Sequence, residues 1–244
     1  MKKTLLTLSF AAIGLFAFAQ KPAAGDKTAE AVLFLQTGTS PISYGLNNSL
    51  GTVPELRLRY FLASDMAARV RIGFGMSSAT DKVSDGGITT PVIAEIKTSS
   101  GFALMLAPGI EKHFAGTAKL SPYVGAELPI GLVGGTTVDV SNANVASPTP
   151  FSVKTGETYK SVTGSKFMIG LNLVLGADYY VTDGLYVGGE MGLGIFQMGS
   201  TGEGTLDKTN GAGVALPQAK TQASSTFDLF GVYSTGGVRL GYKF

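Results

Sequence analysis

Apolar residues recur at every second position through most of the chain beyond residue 29, the signature of strands whose two faces meet different surroundings. The clearest run is Arg69 to Met76: Val70, Ile72, Phe74 and Met76 share one face, and Arg69, Arg71, Gly73 and Gly75 the other. The run before it opposes Leu56, Leu58, Tyr60 and Leu62 to Glu55, Arg57, Arg59 and Phe61. Similar runs span Gly101 to Phe114, Pro122 to Val133, Lys166 to Val181, Leu185 to Gln197 and Thr226 to Phe244; with a weaker one at Ala29 to Gln36 they predict eight strands. The segment Pro91 to Thr98 either extends strands or adds a hairpin, which leaves ten as the alternative count. Pro108 and Pro129 fall inside runs, where a missing N–H removes a ladder bond, so bulges are expected there and near Gly236.

The connections alternate in length. Ala63 to Met66, Ala115 to Ser121 and Thr182 to Gly184 are short, the last carrying the Asp-Gly of a tight turn. The stretches near residues 37–52, 77–98, 134–165 and 198–225 are long and rich in Ser, Thr, Gly and Asn. An even strand count with short turns at one end and long loops at the other describes an all-β, antiparallel, up-and-down transmembrane barrel in an outer membrane, with both termini in the periplasm. A soluble lipocalin-like barrel shows the same alternation turned inside out. The polar face separates the two: it holds Gly73, Gly75, Gly109, Gly125, Gly131, Gly170, Gly176, Gly188, Gly192 and Gly194 interspersed with a few charges, which suits a narrow lumen better than a surface in water.

Composition sharpens this picture. Of 244 residues 34 are Gly and 15% are charged, against about 7% Gly and about 25% charge in an average soluble domain. Lys2 and Lys3, the apolar stretch Leu5 to Phe16 and the small-x-small site Ala17-Phe18-Ala19 read as a secretory signal peptide over residues 1–19. Residues 20–28 then form a short periplasmic segment and 29–244 the barrel. Removing those two lysines takes the basic count from 19 to 17, equal to the 17 acidic residues, so no basic surface is expected to attract nucleic acid. The chain has no Cys and therefore no disulfide framework.

The inward positions carry Glu55, Arg57, Arg59, Arg69, Arg71, Glu111, Glu127, Asp178, Glu190 and Arg239, with Lys243 near the end. Opposite charges enclosed in a lumen must pair, because an isolated buried charge is costly. Counting from the short turns places Arg71, Glu127, Glu190 and Arg239 at one height. Phe102 and Phe114, Phe167 and Tyr179, and Phe230 and Tyr242 stand twelve residues apart on matching faces. That spacing spans roughly 30 Å on a tilted strand and predicts two aromatic girdles. No GxGxxG, GxSxG or HExxH motif occurs, and with His113 as the single histidine no cofactor or His/Cys metal centre is expected. Asp81 and Asp85 read as loop charges, and Asn47-Asn48-Ser49 as an incidental sequon. Outer-membrane acyltransferases, phospholipases and proteases typically use a His on the long-loop side or near the lipid surface, whereas His113 lies beside a short turn, so an enzyme is not expected.

The chain closes on Val238, Leu240, Tyr242 and Phe244 at alternate positions. With the alternation over the whole mature sequence, this resembles the superfamily of small eight-stranded outer-membrane barrels, the OmpA-like and OmpX-like proteins grouped with porins. The resemblance implies that this C-terminal alternation is the signal read by the barrel-assembly machinery, and that outer-membrane lipid and that machinery are partners. With Phe244 as the last residue no peptidoglycan-binding domain is expected, which departs from full-length OmpA and takes the cell-wall tether out of what the resemblance implies. The expected role is structural or surface-binding, through four long loops on an unidentified extracellular ligand, with an Arg/Glu network filling the lumen. The alternative is a narrow channel for ions or very small solutes, and a lipid-modifying enzyme ranks last.

Overall fold

The computed structural model describes residues 21–34, 55–76, 78–84, 93–143, 157–210, 212–229 and 235–244. Among them the regular elements are all strands: β1 (Lys27–Phe34), β2 (Glu55–Ala63), β3 (Met66–Gly75), β4 (Ser78–Ser84), β5 (Ile93–Ser100), β6 (Ala103–His113), β7 (Leu120–Glu127) and β8 (Ile130–Val133). Then come β9 (Thr136–Ala143), β10 (Glu157–Val162), β11 (Lys166–Tyr180), β12 (Leu185–Thr201), β13 (Gly204–Thr209), β14 (Ala219–Thr221), β15 (Ser224–Leu229) and β16 (Thr235–Lys243). Every pairing is antiparallel. The ladder runs β1–β2–β3–β6–β7–β11–β12–β16 and returns to β1, closing a barrel of eight strands. Along this eight-strand ladder no strand is left with an open side, and an unpaired backbone group in hydrocarbon would cost several kcal/mol, on the order of its full desolvation.

The prolines do not make bulges. β7 and β8 are one strand interrupted at Leu128–Pro129, and both halves keep a single register against β6 and against β11. Pro129 loses its own donor but still accepts from Gly170 N–H at 2.9 Å, and Pro108 accepts from Leu128 N–H at 2.8 Å. A missing N–H thus removes one bond without inserting a residue. Gly236 likewise pairs with Met191 in unbroken register. The barrel's register shifts fall instead at Phe61/Ala63 and at Leu171/Asn172, where β12 carries an extra residue between Gly194 and Phe196.

The stretches near 77–98, 134–165 and 198–225 are not irregular loops. They carry β4 and β5, β9 and β10, and β13 and β14, which join in a second sheet of order β14–β13–β10–β9–β5–β4. Backbone bonds stitch its base to the barrel rim: Gly134 N–H donates to Phe102 O at 2.8 Å, Thr163 N–H to Thr136 O at 2.9 Å and Gly202 N–H to Ser165 O at 2.8 Å. Chains approach so closely at this seam that a Cβ on Gly164 would lie 2.0 Å from Gly202 O. Apart from Pro91 to Thr98, which overlaps β5 and reads as a strand extension or added hairpin, these strands escaped the alternation reading because outside a bilayer neither face meets lipid. Only Val138 and Val140 mark a face in Thr136–Ala143, and only Leu206 in Gly204–Thr209. Those residues, with Ile96 and Tyr159, make the sheet's small apolar stripe. The stretch 37–52, Asp85 and Phe230 lie outside the described residues.

Burial is inverted relative to a soluble protein. On β2, Leu62 is 51% exposed and Arg57 1%, and the same inversion runs along β3, β6, β11, β12 and β16. A protein that turns its leucines outward and its arginines inward folds in hydrocarbon.

Candidate functional site

The lumen is stacked in layers set by strand parity. Toward the second sheet its lining is apolar: Ala103, Met105, Val133 and Met168 pack together, and Gln197 Nε2 donates to Met168 Sδ at 3.0 Å. Toward the short turns it is aromatic: the His113 ring lies between Phe61 and Tyr123 with ring centres 5.3 and 5.1 Å away, and Tyr180 meets Tyr186 in a tilted contact at 5.1 Å. Between these lie five guanidinium groups, on Arg57, Arg59, Arg69, Arg71 and Arg239, and five carboxylates, on Glu30, Glu111, Glu127, Asp178 and Glu190. The layer is formally neutral.

Glu190 is one hub. Its Oε1 accepts from Arg57 Nη2 at 2.6 Å and from Arg69 Nη2 at 3.1 Å, and its Oε2 accepts from Arg57 Nη1 and Arg69 Nη1, both at 2.9 Å. The Tyr123 hydroxyl also donates to Oε2. Arg59 is the other hub, pairing with Glu30, with Glu111 at 3.0 Å and with Asp178 at 2.8 Å. It donates to the Tyr186 hydroxyl at 3.0 Å and lies 5.4 Å from that ring's centre. Arg239 joins Glu30 at 2.9 Å and Asp178 at 2.8 Å. Arg71 pairs with Glu127, which also accepts from Arg69 at 2.9 Å and from Asn172 at 3.1 Å. Arginine's rigid fork suits this, since each guanidinium can serve two or three carboxylates without leaving its plane.

Of the residues expected at one height, Arg71 and Glu127 meet, whereas Arg239 stands 3.9 Å from Glu190 and takes Glu30 and Asp178 as its closer partners. Counting along single strands ignores the stagger between tilted neighbours, which displaces partners by several residues. Glu30 was missed altogether. It alternates with Ala29 and Ala31, whose small side chains give no contrast to mark an inward face. Tyr123 and Tyr186, which the alternation did not single out, turn inward on the parity of Gly125 and Gly188. Glu55 opens β2 opposite Gly73, and its side chain falls outside the described residues. Lys243 stands 3.4 Å from Asp26 at the short-turn end.

Glycines opposite the tyrosines leave room for the rings. A Cβ on Gly241 would meet the Tyr186 ring at 2.1 Å, and one on Gly176 the Tyr123 hydroxyl at 2.3 Å. Tyr186 is held by its bond to Glu30 at 2.8 Å and cannot swing aside freely. Gly241→Ala is therefore expected to cost about 1–3 kcal/mol through overpacking. The folded, heat-modifiable band should then convert at a lower temperature in gel-shift assays, and an unchanged conversion temperature would refute this packing.

His113 lies among the aromatic rings of the lower layer and is buried. Its Nδ1 lies 2.9 Å from Ser121 Oγ and its Nε2 3.2 Å from Glu111 Oε2. Serine, histidine and carboxylate occur in the order of a hydrolase triad, but Ser121 is 2% exposed and Glu111 already accepts from Arg59 and Arg69. Phe102, Phe114, Phe167, Tyr179 and Tyr242 all face outward, as do Val238, Leu240 and Phe244. Asp81 is exposed on β4, and among the described residues no group of three His, Cys, Asp or Glu is placed to hold a metal.

A closed barrel with an ionic interior and an apolar exterior can now be set beside known proteins. A profile of the putative OmpA-OmpF-like porin family matches residues 41–198, more than half of the chain. The chain belongs to that family. Among solved structures it is similar to the N-terminal β-barrel domain of Pseudomonas aeruginosa OprF, at 13% identity over 91% of this chain and 100% of that one, with a TM-score of 0.41. The outer membrane protein OprG of Pseudomonas aeruginosa gives 15% over 93% and 99%, with a TM-score of 0.39. The outer membrane protease OmpT of Escherichia coli gives 7% over 91% and 93%, with a TM-score of 0.44. No curated protein matches the chain. As a member of the OmpA-OmpF-like porin family with this architecture, the protein is an integral outer-membrane barrel.

Proposed function

We propose that this porin-family barrel is a structural or surface-binding protein whose lumen is closed to ions, and that its ligand-bearing part is the sheet formed by β4, β5, β9, β10, β13 and β14. The observation that carries this is the charge layer. Its ten side chains link strands from around the barrel, and the two hubs, Arg59 and Glu190, are respectively 0% and 7% exposed in their side chains. Moving any one member to admit an ion would leave a partner unpaired at low dielectric. The enclosure of Ser121 supports a non-enzymatic role.

In this reading the short turns and both termini face the periplasm and the second sheet stands at the cell surface, rigidly enough to present side chains to an extracellular partner. Outward Phe114, Tyr179 and Tyr242 sit at one interface and Phe102 and Phe167 at the other. Val238, Leu240, Tyr242 and Phe244 serve assembly.

The test is single-channel recording of the refolded barrel in planar bilayers, which is expected to be electrically silent. A steady conductance of definite size would overturn closure and favour the channel reading. Arg71→Ala combined with Glu127→Ala should then raise that conductance further.

A further inference from the structure

The outer wall of the barrel carries a furrow of about 830 Å³ over β6, β7, β11 and β12. Its origin lies in one cross-strand row, Ile110–Ala126–Leu173, where a methyl group stands between two branched side chains and forms the floor. The adjacent row is Met66–Lys112–Val124–Leu175–Met191. It begins at the first residue of β3 and the penultimate residue of β6, and ends six residues inside β12. At about 3.3 Å per residue and a tilt of about 40°, that is a climb of roughly 15 Å, half of the ~30 Å hydrocarbon thickness. The furrow therefore runs from the short-turn interface to the middle of the bilayer, the depth of one leaflet.

At its foot stands an ion pair. Lys112 Nζ donates to Asp65 Oδ2, and the two side chains are 49% and 50% exposed. The bond from Lys112 holds the Asp65 carboxyl below its ordinary range, so it remains an anion. A cation and an anion side by side at the interface, with an apolar furrow rising from them, are complementary to a headgroup that also carries one charge of each sign. We propose that this is a binding site for a zwitterionic phospholipid, its phosphate on Lys112, its primary amine on Asp65 and one acyl chain lying over Ala126. The site assumes only that the barrel is integral to a bilayer. Because it is tested in micelles, its failure is separate from failure of the periplasmic placement of the short turns.

The experiment is native mass spectrometry of the refolded barrel in detergent, titrated with phosphatidylethanolamine and with phosphatidylglycerol of identical acyl chains. The wild type is expected to retain phosphatidylethanolamine in preference to phosphatidylglycerol. Lys112→Gln should lower retention of both at least about five-fold, and Asp65→Asn should reverse the preference, since it removes the amine's partner and leaves the phosphate's. Ala126→Phe, which fills the floor, should lower retention without altering the headgroup preference, and each variant's heat-modifiable band shows that it is folded. Lys119→Gln, on a neighbouring turn, should leave retention unchanged. Equal retention of the two lipids by the wild type, or an unaltered Lys112→Gln, would overturn the site. So would a dimer mass that Ala126→Phe abolishes, because a second barrel would then occupy the furrow.

Discussion

Glu190→Ala is expected to cost the folded barrel about 3–5 kcal/mol, the usual penalty for removing one partner from a buried ion pair. The carboxylate takes four bonds from Arg57 and Arg69 and one from Tyr123. Its loss leaves two guanidinium groups short of an anion in a space that water cannot freely enter. Among the described residues Arg57 then retains Glu30, at 3.4 Å, as its carboxylate partner. Arg69 retains Glu111 and Glu127, at 2.7 and 2.9 Å. The damage should therefore centre on β2, and Glu190→Gln should be milder because its amide oxygen still accepts. Urea unfolding in micelles followed by far-ultraviolet circular dichroism measures the change; the chain has no Trp to report by fluorescence. A loss below about 1 kcal/mol, the scale of an exposed pair, would show that the layer is hydrated and loosely held.

Arg59→Met is expected to be of similar size with the opposite sign of charge left behind. It strands parts of Glu30, Glu111 and Asp178, which come from β1, β6 and β11. Arg239 still serves Glu30 and Asp178, and Arg69 still serves Glu111, so the excess is one negative charge shared among three carboxylates. Adding Asp178→Asn should recover part of the loss by restoring neutrality. A double-mutant cycle on the same urea curves should give a coupling energy above about 1 kcal/mol, as residues in one network do. Simple additivity of the two changes would mean that the pair does not communicate.

Both predictions rest on partners that strand parity alone did not reveal. Parity along β2, β3, β6, β11 and β12 was legible because leucine and phenylalanine stand opposite arginine, glutamate and glycine. That contrast arises wherever one face meets lipid and the other a polar interior. It faded in two places for two reasons. On β1 the outward residues Ala29 and Ala31 are too small to mark a lipid face, which hid Glu30. In β4, β9, β10, β13 and β14 neither face meets lipid and a small apolar stripe alone marks one side, so threonine and serine serve either face and those strands read as loops; Pro91 to Thr98, which overlaps β5, was legible as a strand extension or added hairpin.

The prolines misled for a related reason. Pro108 and Pro129 do remove donors, but neighbouring carbonyls and amides keep the register. The irregularity at Leu171/Asn172 falls in the β11–β12 ladder, whereas Pro129 faces the neighbouring Gly170 across the other side of β11, where the register is unbroken.

From the sequence by itself came the class of the fold, the eight membrane strands, the inward direction of most charged residues and the outward direction of Phe102, Phe114, Phe167, Tyr179 and Tyr242. Each follows from local alternation, which depends only on a strand's two faces and their solvents. Tertiary structure alone decided who pairs with whom: that Glu190 and Arg59 are hubs, that Arg239 prefers Glu30 and Asp178, that Gly241 and Gly176 make room for tyrosines, and that Ala126 floors a furrow leading to Lys112 and Asp65. These relations join residues up to 209 positions apart, and they are set by the stagger of tilted strands around a closed barrel, a property of the whole sheet that no single strand encodes.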